Sequence, residues 1–231
     1  MWTEYLLTAM FPRVFSHADD TQLLDRLARA AAQPEDATRQ HGWRVATLAR
    51  RLAWALGFKP HDGDLIVGAA RYHDIGKIAV PADVLGKRGP LSEFERRLVQ
   101  THTVVGQQIL EGGRSPLLRL AAQIAVTHHE RWDGSGYPHR IRREAIPMVG
   151  RIVAVADAWD ALTNPRPYRP ACTEAEALME IGSNAGGQFD PVVVDALSRV
   201  LAAAESGNEA AAIARASCPA AFTAGIDPDC P

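Results

Sequence analysis

The stretch MVGRIVAVADAWDALT, residues 148–163, holds the longest strand-like alternation in the chain, IVAVA at 152–156, and its reading decides the fold. With a period of two it is a short buried strand. With a period of 3.6, Val149, Ile152, Val153 and Ala156 form one apolar stripe with Asp157 and Asp160 at its inward end. That stripe reaches beyond the alternation on both sides, so the segment reads as a helix beginning at about Met148. No other strand signal competes with it, and the chain reads as all-α, a bundle of about seven or eight helices.

Outward from this helix the other elements follow by capping and periodicity. Downstream, Thr173 with Glu176 and Asp190 with Pro191 open two more helices. Upstream, WDGSGYPHRIRREAIP at 132–147 is rich in glycine and proline and reads as an ordered surface loop. Ser115-Pro116 starts a helix whose Leu117, Ala121, Ile124 and His128 share a face. Ser92 and Glu95 form a capping box, after which Phe94, Leu98, His102, Val105 and Ile109 line one face. The glycines and prolines between Gly76 and Pro90 predict a loop carrying Lys77, Lys87 and Arg88. A helix is expected over 62–74, and another from His41, where Val45, Leu48, Leu52 and Leu56 make an apolar stripe stopped by Gly57.

These elements define a main domain at 35–204. Residues 1–34 hold a short helical extension, with its amphipathic run at 21–32, and residues 205–231 a weakly ordered tail. The N-terminal helix is expected to complete the bundle, with docking to a protein partner or a dimer as the alternative. No sensory module is expected ahead of the domain.

The 231 residues are 47% hydrophobic and 23% charged, within the range of globular proteins with one sizeable core. A net charge of -2 and a pI near 6.4 exclude the basic field that would gather DNA or RNA, so an anionic ligand must be held locally. No run approaches the roughly 20 apolar residues of a membrane span, and the start lacks a basic leader. Cys172, Cys218 and Cys230 are odd in number and without CxxC spacing, which fits a reducing cytoplasm.

The chemistry first surfaces at His73-Asp74, because imidazole nitrogen with carboxylate oxygen suits iron, manganese, nickel or zinc. Alone the dipeptide says little. His41, His102, His128, His129 and Asp157 change its meaning, since they lie near buried faces of several different helices. An unpaired polar side chain there costs on the order of 1–3 kcal/mol. Taken singly, each reads equally well as a core side chain satisfied by a backbone carbonyl or a cap. Seven ligands exceed what one tetrahedral ion takes, and a carboxylate can bridge two ions, so the set predicts a dinuclear centre with a bridging hydroxide as nucleophile. Phosphoester hydrolysis is the natural reaction, with oxygen activation by a di-iron pair as its chemical rival.

The strings HDIGK at 73–77, HTVVGQQIL at 102–110, HHERWDGSGYP at 128–138 and GRIVAVADAWDALTNPRPYRP at 150–170 together resemble an HD-GYP domain, over about residues 35–200. The resemblance implies a helical bundle of the HD-domain type and hydrolysis of cyclic di-GMP to linear pGpG, in some members onward to GMP. It implies two divalent transition-metal ions, iron, manganese or nickel. His41, His73, Asp74 and Asp157 match ligands of the first, and Asp74 as bridge with His102, His128 and His129 matches the second. Lys77 matches a lysine beside the metals that steadies the phosphate or protonates the leaving oxygen. Gly136, Tyr137 and Pro138 match the GYP turn that faces the ligand. Arg166 and Arg169 match basic positions that hold substrate phosphate, and Asp160 matches a contact either to guanine or behind a metal ligand.

Two positions depart from the family pattern. Ala37 stands where some members carry a glutamate for a third metal, although Glu35 and Asp36 lie near it, and Arg140 stands where a glycine is usual. Two other functions fit parts of the pattern. One is a signalling adaptor that binds a cyclic dinucleotide or a partner without turnover. The other is a one-metal HD-type nucleotide hydrolase needing only His41, His73, Asp74 and Asp157.

Overall fold

The computed structural model describes residues 24–26, 40–111, 115–165 and 170–205. Nine α-helices lie among the described residues: α1 (His41–Ala55), α2 (Pro60–Ala70), the single turn α3 (Ala82–Leu85), α4 (Glu93–Gln100), α5 (His102–Leu110), α6 (Pro116–Thr127), α7 (Met148–Thr163), α8 (Glu174–Ser183) and α9 (Pro191–Glu205). Short 3-10 turns occur at Ile75–Ala79 and Arg143–Ala145. No strand is formed among the described residues, and IVAVA lies wholly within α7.

Helix α7 runs through the middle, touching α1, α6, α8 and α9, while α2 bridges α1 and α6 and α5 packs on α6 and the first 3-10 turn. The expected stripes meet in one core: Val45 and Leu52 from α1, Ile66 from α2, Ile124 from α6, Ile152 and Val153 from α7 and Leu197 from α9 are buried. Gly57 ends α1 with φ of 89°, where Gly57 N–H donates to Trp54 O at 2.9 Å and Phe58 N–H to Ala53 O at 3.0 Å. This paired closure caps the last carbonyls and turns the chain into α2. Side-chain caps form at Ser92, Ser115 and Thr173, as their spacing predicts.

Two boundaries differ from the sequence reading. Helix α2 stops at Ala70, not 74, because the chain tightens into i→i−3 bonds: His73 N–H to Ala70 O, Ile75 N–H to Tyr72 O and Lys77 N–H to Asp74 O, each 3.0–3.1 Å. The tightening brings the Gly76 backbone against α5, where a Cβ would lie 2.0 Å from His102 O and 2.4 Å from Gly106 N. The predicted loop thus begins as a 3-10 turn. The face expected to run from Phe94 to Ile109 breaks at Thr101, where α4 ends and α5 starts, leaving Phe94 69% exposed while His102 is buried. Local capping and the Glu93–Arg97 ion pair sustain α4 without a buried face.

Of the N-terminal run only 24–26 are described. Leu24 joins the core, and Asp25 pairs with the Arg71 guanidinium and accepts from the Tyr72 hydroxyl at 2.7 Å. The expected tail lies outside the described residues beyond α9, as do Arg166, Arg169, Ala37, Glu35 and Asp36.

Candidate metal centre

The boundary correction at Ala70 sets up the site. His73 and Asp74 sit on the tight turn after α2, His102 opens α5, His128 and His129 follow the end of α6, and His41 and Asp157 come from α1 and α7. Asp74, His102, His128 and His129 each offer a ligand atom within 4.8 Å of the others, as do His41, His73 and Asp74. The two groups share Asp74. Its Oδ1 is 3.4 Å from His102 Nε2 and 3.8 Å from His128 Nε2, while its Oδ2 is 3.4 Å from His73 Nε2 and 4.0 Å from His41 Nε2. Asp157 closes the first group from the side, with Oδ1 3.3 Å from His41 Nε2 and 3.9 Å from His73 Nε2.

Whether these residues suit a cation is decided by what their outer nitrogens do. His73 Nδ1 lies 2.9 Å from Ala70 O, His102 Nδ1 2.7 Å from Val99 O, and His128 Nδ1 2.9 Å from Ala125 O. A carbonyl only accepts, so each Nδ1 carries the proton and each Nε2 turns a lone pair inward. His102 Nε2 and His128 Nε2 then face each other at 3.4 Å as two acceptors. His73 Nε2 and Asp74 Oδ1 are buried with no hydrogen-bond partner. Acceptors crowded together without donors are the arrangement that an ion satisfies and a folded core otherwise avoids. The residues fit a metal centre.

The protonation states agree. Burial pushes His102 down to about 4 against the opposing charge of Asp74, and pushes His129 well below the ordinary histidine value, so both are neutral at pH 7. Burial alone would raise Asp74 and Asp157, but the Lys77 ammonium beside the first and the hydrogen bond from His41 to the second hold both below the usual carboxylate range. His41 is the exception. Burial lowers it, yet hydrogen bonds to Asp157 and Asp160, then the charge of Asp157 and Asp74, prevail, and without metal it is pushed up to about 10. An ion that takes His41 Nε2 must therefore displace a proton. Between pH 7 and 9, affinity at this group is expected to rise about tenfold per pH unit, with close to one proton released, measurable by calorimetry in buffers of different ionisation heat. Affinity that is flat over that range would contradict the assignment.

Behind His41 stands Asp160. Its Oδ2 meets His41 Nδ1 at 2.7 Å, Arg44 donates to both oxygens at 2.6 and 3.0 Å, and Asn164 Nδ2 donates to Oδ1 at 3.0 Å. The side chain is buried with both oxygens engaged, which sets Asp160 directly behind His41. Asp160→Asn is expected to weaken metal binding at the His41 group by about 10–100-fold, read by competition with a chromophoric chelator. Unchanged affinity would remove Asp160 from the site.

Lys77, on the 3-10 turn, makes an ion pair with Asp74 Oδ2. Gly136 is wedged where a Cβ would lie 2.4 Å from Arg131 N and 2.6 Å from His129 O, and Tyr137 N–H donates to His129 O at 3.2 Å. The Tyr137 ring consequently stacks on the His129 imidazole, centroids 4.9 Å apart. Burial, then the carboxylates of Asp74 and Asp157, pushes its phenol above the ordinary tyrosine value, so it remains a hydrogen-bond donor. The Tyr137-Pro138 peptide bond is cis. Arg140 has φ of 56°, the left-handed region, which accounts for the glycine usual at this position.

Sequence reasoning missed Arg44 and Glu130. Arg44 follows His41 by one helical turn, as Asp160 follows Asp157, and that matched spacing was the available signal. For the buried Glu130 the available signal was its place in the HHERWDGSGYP string, directly after the histidine pair.

Residues 20–193 match the family described as HD domain. The chain is 42% identical over 180 residues to a cyclic di-GMP phosphodiesterase response regulator of Xanthomonas campestris pv. campestris, covering 78% of this chain and 48% of that protein. It is 39% identical over 198 residues to a cyclic di-GMP phosphodiesterase of Thermotoga maritima, covering 85% of this chain and 54% of the relative. The fold is similar to the crystal structure of a cyclic GMP-AMP specific phosphodiesterase from Vibrio cholerae, with a TM-score of 0.57 at 20% identity over 79% of this chain and 48% of that one. The chain spans about half the length of these relatives.

Proposed function

The chain belongs to the HD domain family, and on that premise we propose that it is a metal-dependent phosphodiesterase that hydrolyses a cyclic dinucleotide, cyclic di-GMP first, to linear pGpG and by a second cut to GMP. The observation that carries this reading is the pair of ligand groups joined at Asp74, which calls for two divalent transition ions and is more than a one-metal hydrolase needs. Bound there, such ions supply charge neutralisation on a phosphodiester and a water acidified enough to attack it at neutral pH. The protein's own groups do the rest. His102 and His129, neutral at pH 7, and the ionised Asp74 and Asp157 are ready as ligands, and Asp160 with Arg44 fixes the His41 ring. Lys77 carries an ammonium at the shared carboxylate, where it can steady a phosphate oxygen or give a proton to the departing 3' oxygen. The Tyr137 phenol walls the side of His129 and offers one donor to the ligand. Arg166 and Arg169 are proposed as phosphate contacts on the resemblance of their motif.

Residues 35–204 form the proposed catalytic unit, acting in the cytoplasm. The test is chromatography of products from the purified protein, with metal content measured on the same sample, after incubation with cyclic di-GMP and in parallel 3'3'-cGAMP. Linear product from either, at about two ions per chain, supports the reading. No product from either in the presence of manganese, iron or nickel overturns it.

A further inference from the structure

Glu130 is a buried carboxylate outside both ligand groups, and its two oxygens have different fates. Oε1 accepts from His139 N–H at 2.7 Å, and the Arg140 and Ile141 backbone also acts on the carboxylate, while the buried Oε2 makes no hydrogen bond of ordinary geometry. Leaving such an oxygen unsatisfied is costly, so a glutamate here needs a compensating purpose. The loop above it supplies one. After His129 the chain runs outward through Arg131–Ser135 and returns, and two bonds fasten the return beside the histidine pair, Tyr137 N–H to His129 O at 3.2 Å and His139 N–H to the Glu130 carboxylate, with Arg143 N–H to Trp132 O at 3.0 Å farther on. Gly136 fits between Arg131 N and His129 O with no room for a Cβ, and Arg140, just past the second bond, is held at a φ of 56° that a non-glycine residue rarely adopts. The far side of the loop is tied separately, by Trp132 N–H to Gln188 O and Asp133 N–H to Gly187 O. Between the two return bonds lies the segment whose Tyr137 ring stacks on His129.

We propose that Glu130 is a positioning residue: its side chain fastens residues 138–140 to the end of the histidine pair and thereby holds Tyr137 against His129. What matters is the reach of the side chain and an acceptor at its tip, not its charge. The bearing on substrate rests on the phosphodiesterase reading above, whereas the fastening does not.

This separates two conservative variants. Glu130→Gln keeps length and a carbonyl acceptor, whereas Glu130→Asp keeps charge but withdraws the acceptor by one methylene. In the full metal-loaded chain, Glu130→Asp is expected to speed amide exchange at residues 139–141 by about tenfold or more, the loss of one buried hydrogen bond. Its KM for the cyclic dinucleotide should rise about tenfold with kcat nearly unchanged and metal content intact. Glu130→Gln should stay within about threefold of the parent on each measure. The reverse order, Gln worse than Asp, overturns the proposal in favour of a role for the charge, and so does parental exchange in Glu130→Asp. If the parent hydrolyses no cyclic dinucleotide, the function proposal fails by itself and the exchange comparison still decides the role of Glu130.

Discussion

Asp74→Ala is expected to lower metal content at both ligand groups and to reduce phosphodiester hydrolysis by more than about 100-fold, beyond the 10–100-fold range typical of groups that only orient ligands. Among the described residues Asp74 is the only side chain in both groups, with Oδ1 facing His102 and His128 and Oδ2 facing His73 and His41. Its removal also leaves His102 Nε2 and His128 Nε2 opposed at 3.4 Å with less negative charge to attract an ion between them. Metal analysis of purified Asp74→Ala beside a His41→Ala control checks this. The histidine variant should retain the His102–His129 group and about half the metal. Two ions per chain in Asp74→Ala would mean that the carboxylate does not join the groups.

Gly76→Ala is expected to give the largest loss of stability of any single methyl addition near the site, about 3 kcal/mol or more in denaturant unfolding. The added Cβ would meet His102 O at 2.0 Å and Gly106 N at 2.4 Å. Both are backbone atoms of α5, so no rotamer change relieves the clash; the turn and the helix must separate. That motion also pulls Asp74 away from His102, and metal content should fall with stability. Gly86→Ala, a control whose Cβ would have only Ala82 O at 3.2 Å to meet, should cost much less. A loss under about 1 kcal/mol for Gly76→Ala would show that this junction is looser than described.

Much of this architecture was legible in the sequence, and the parts that were not share a cause. Helix α7, the caps at Ser92, Ser115 and Thr173 and the stop at Gly57 follow from local chemistry, and they appear where periodicity and capping place them. The end of α2 was not legible, because Gly76 is set by the close approach of α5, a partner 26 residues or more away in the chain. The exposure of Phe94 was hidden for a related reason: a stripe read across Thr101 assumes one straight helix, and two helices meet there. At the site, spacing marked the seven candidate ligands. It left Asp160 open between a contact to guanine and one behind a metal ligand; the structure sets it beside His41 with Arg44 on both of its oxygens. Glu130 stands inside the HHERWDGSGYP string, but its role was not legible there, since its partner is a backbone N–H nine residues on.

The carbonyls that hold the three imidazoles have a further consequence. Ala70, Val99 and Ala125 lie in the last turns of α2, α4 and α6, where carbonyl groups lack an intrahelical partner. His73, His102 and His128 thus each close a helix end with one nitrogen and face the centre with the other. The ends of α2, α4 and α6 thus hold the three rings from behind, while α5 and α1 open at His102 and His41, so helix poles of both signs meet at the centre and its preference for a cation rests on the side chains. Alanine at any of these histidines removes a cap as well as a ligand, and the loss it produces measures both together.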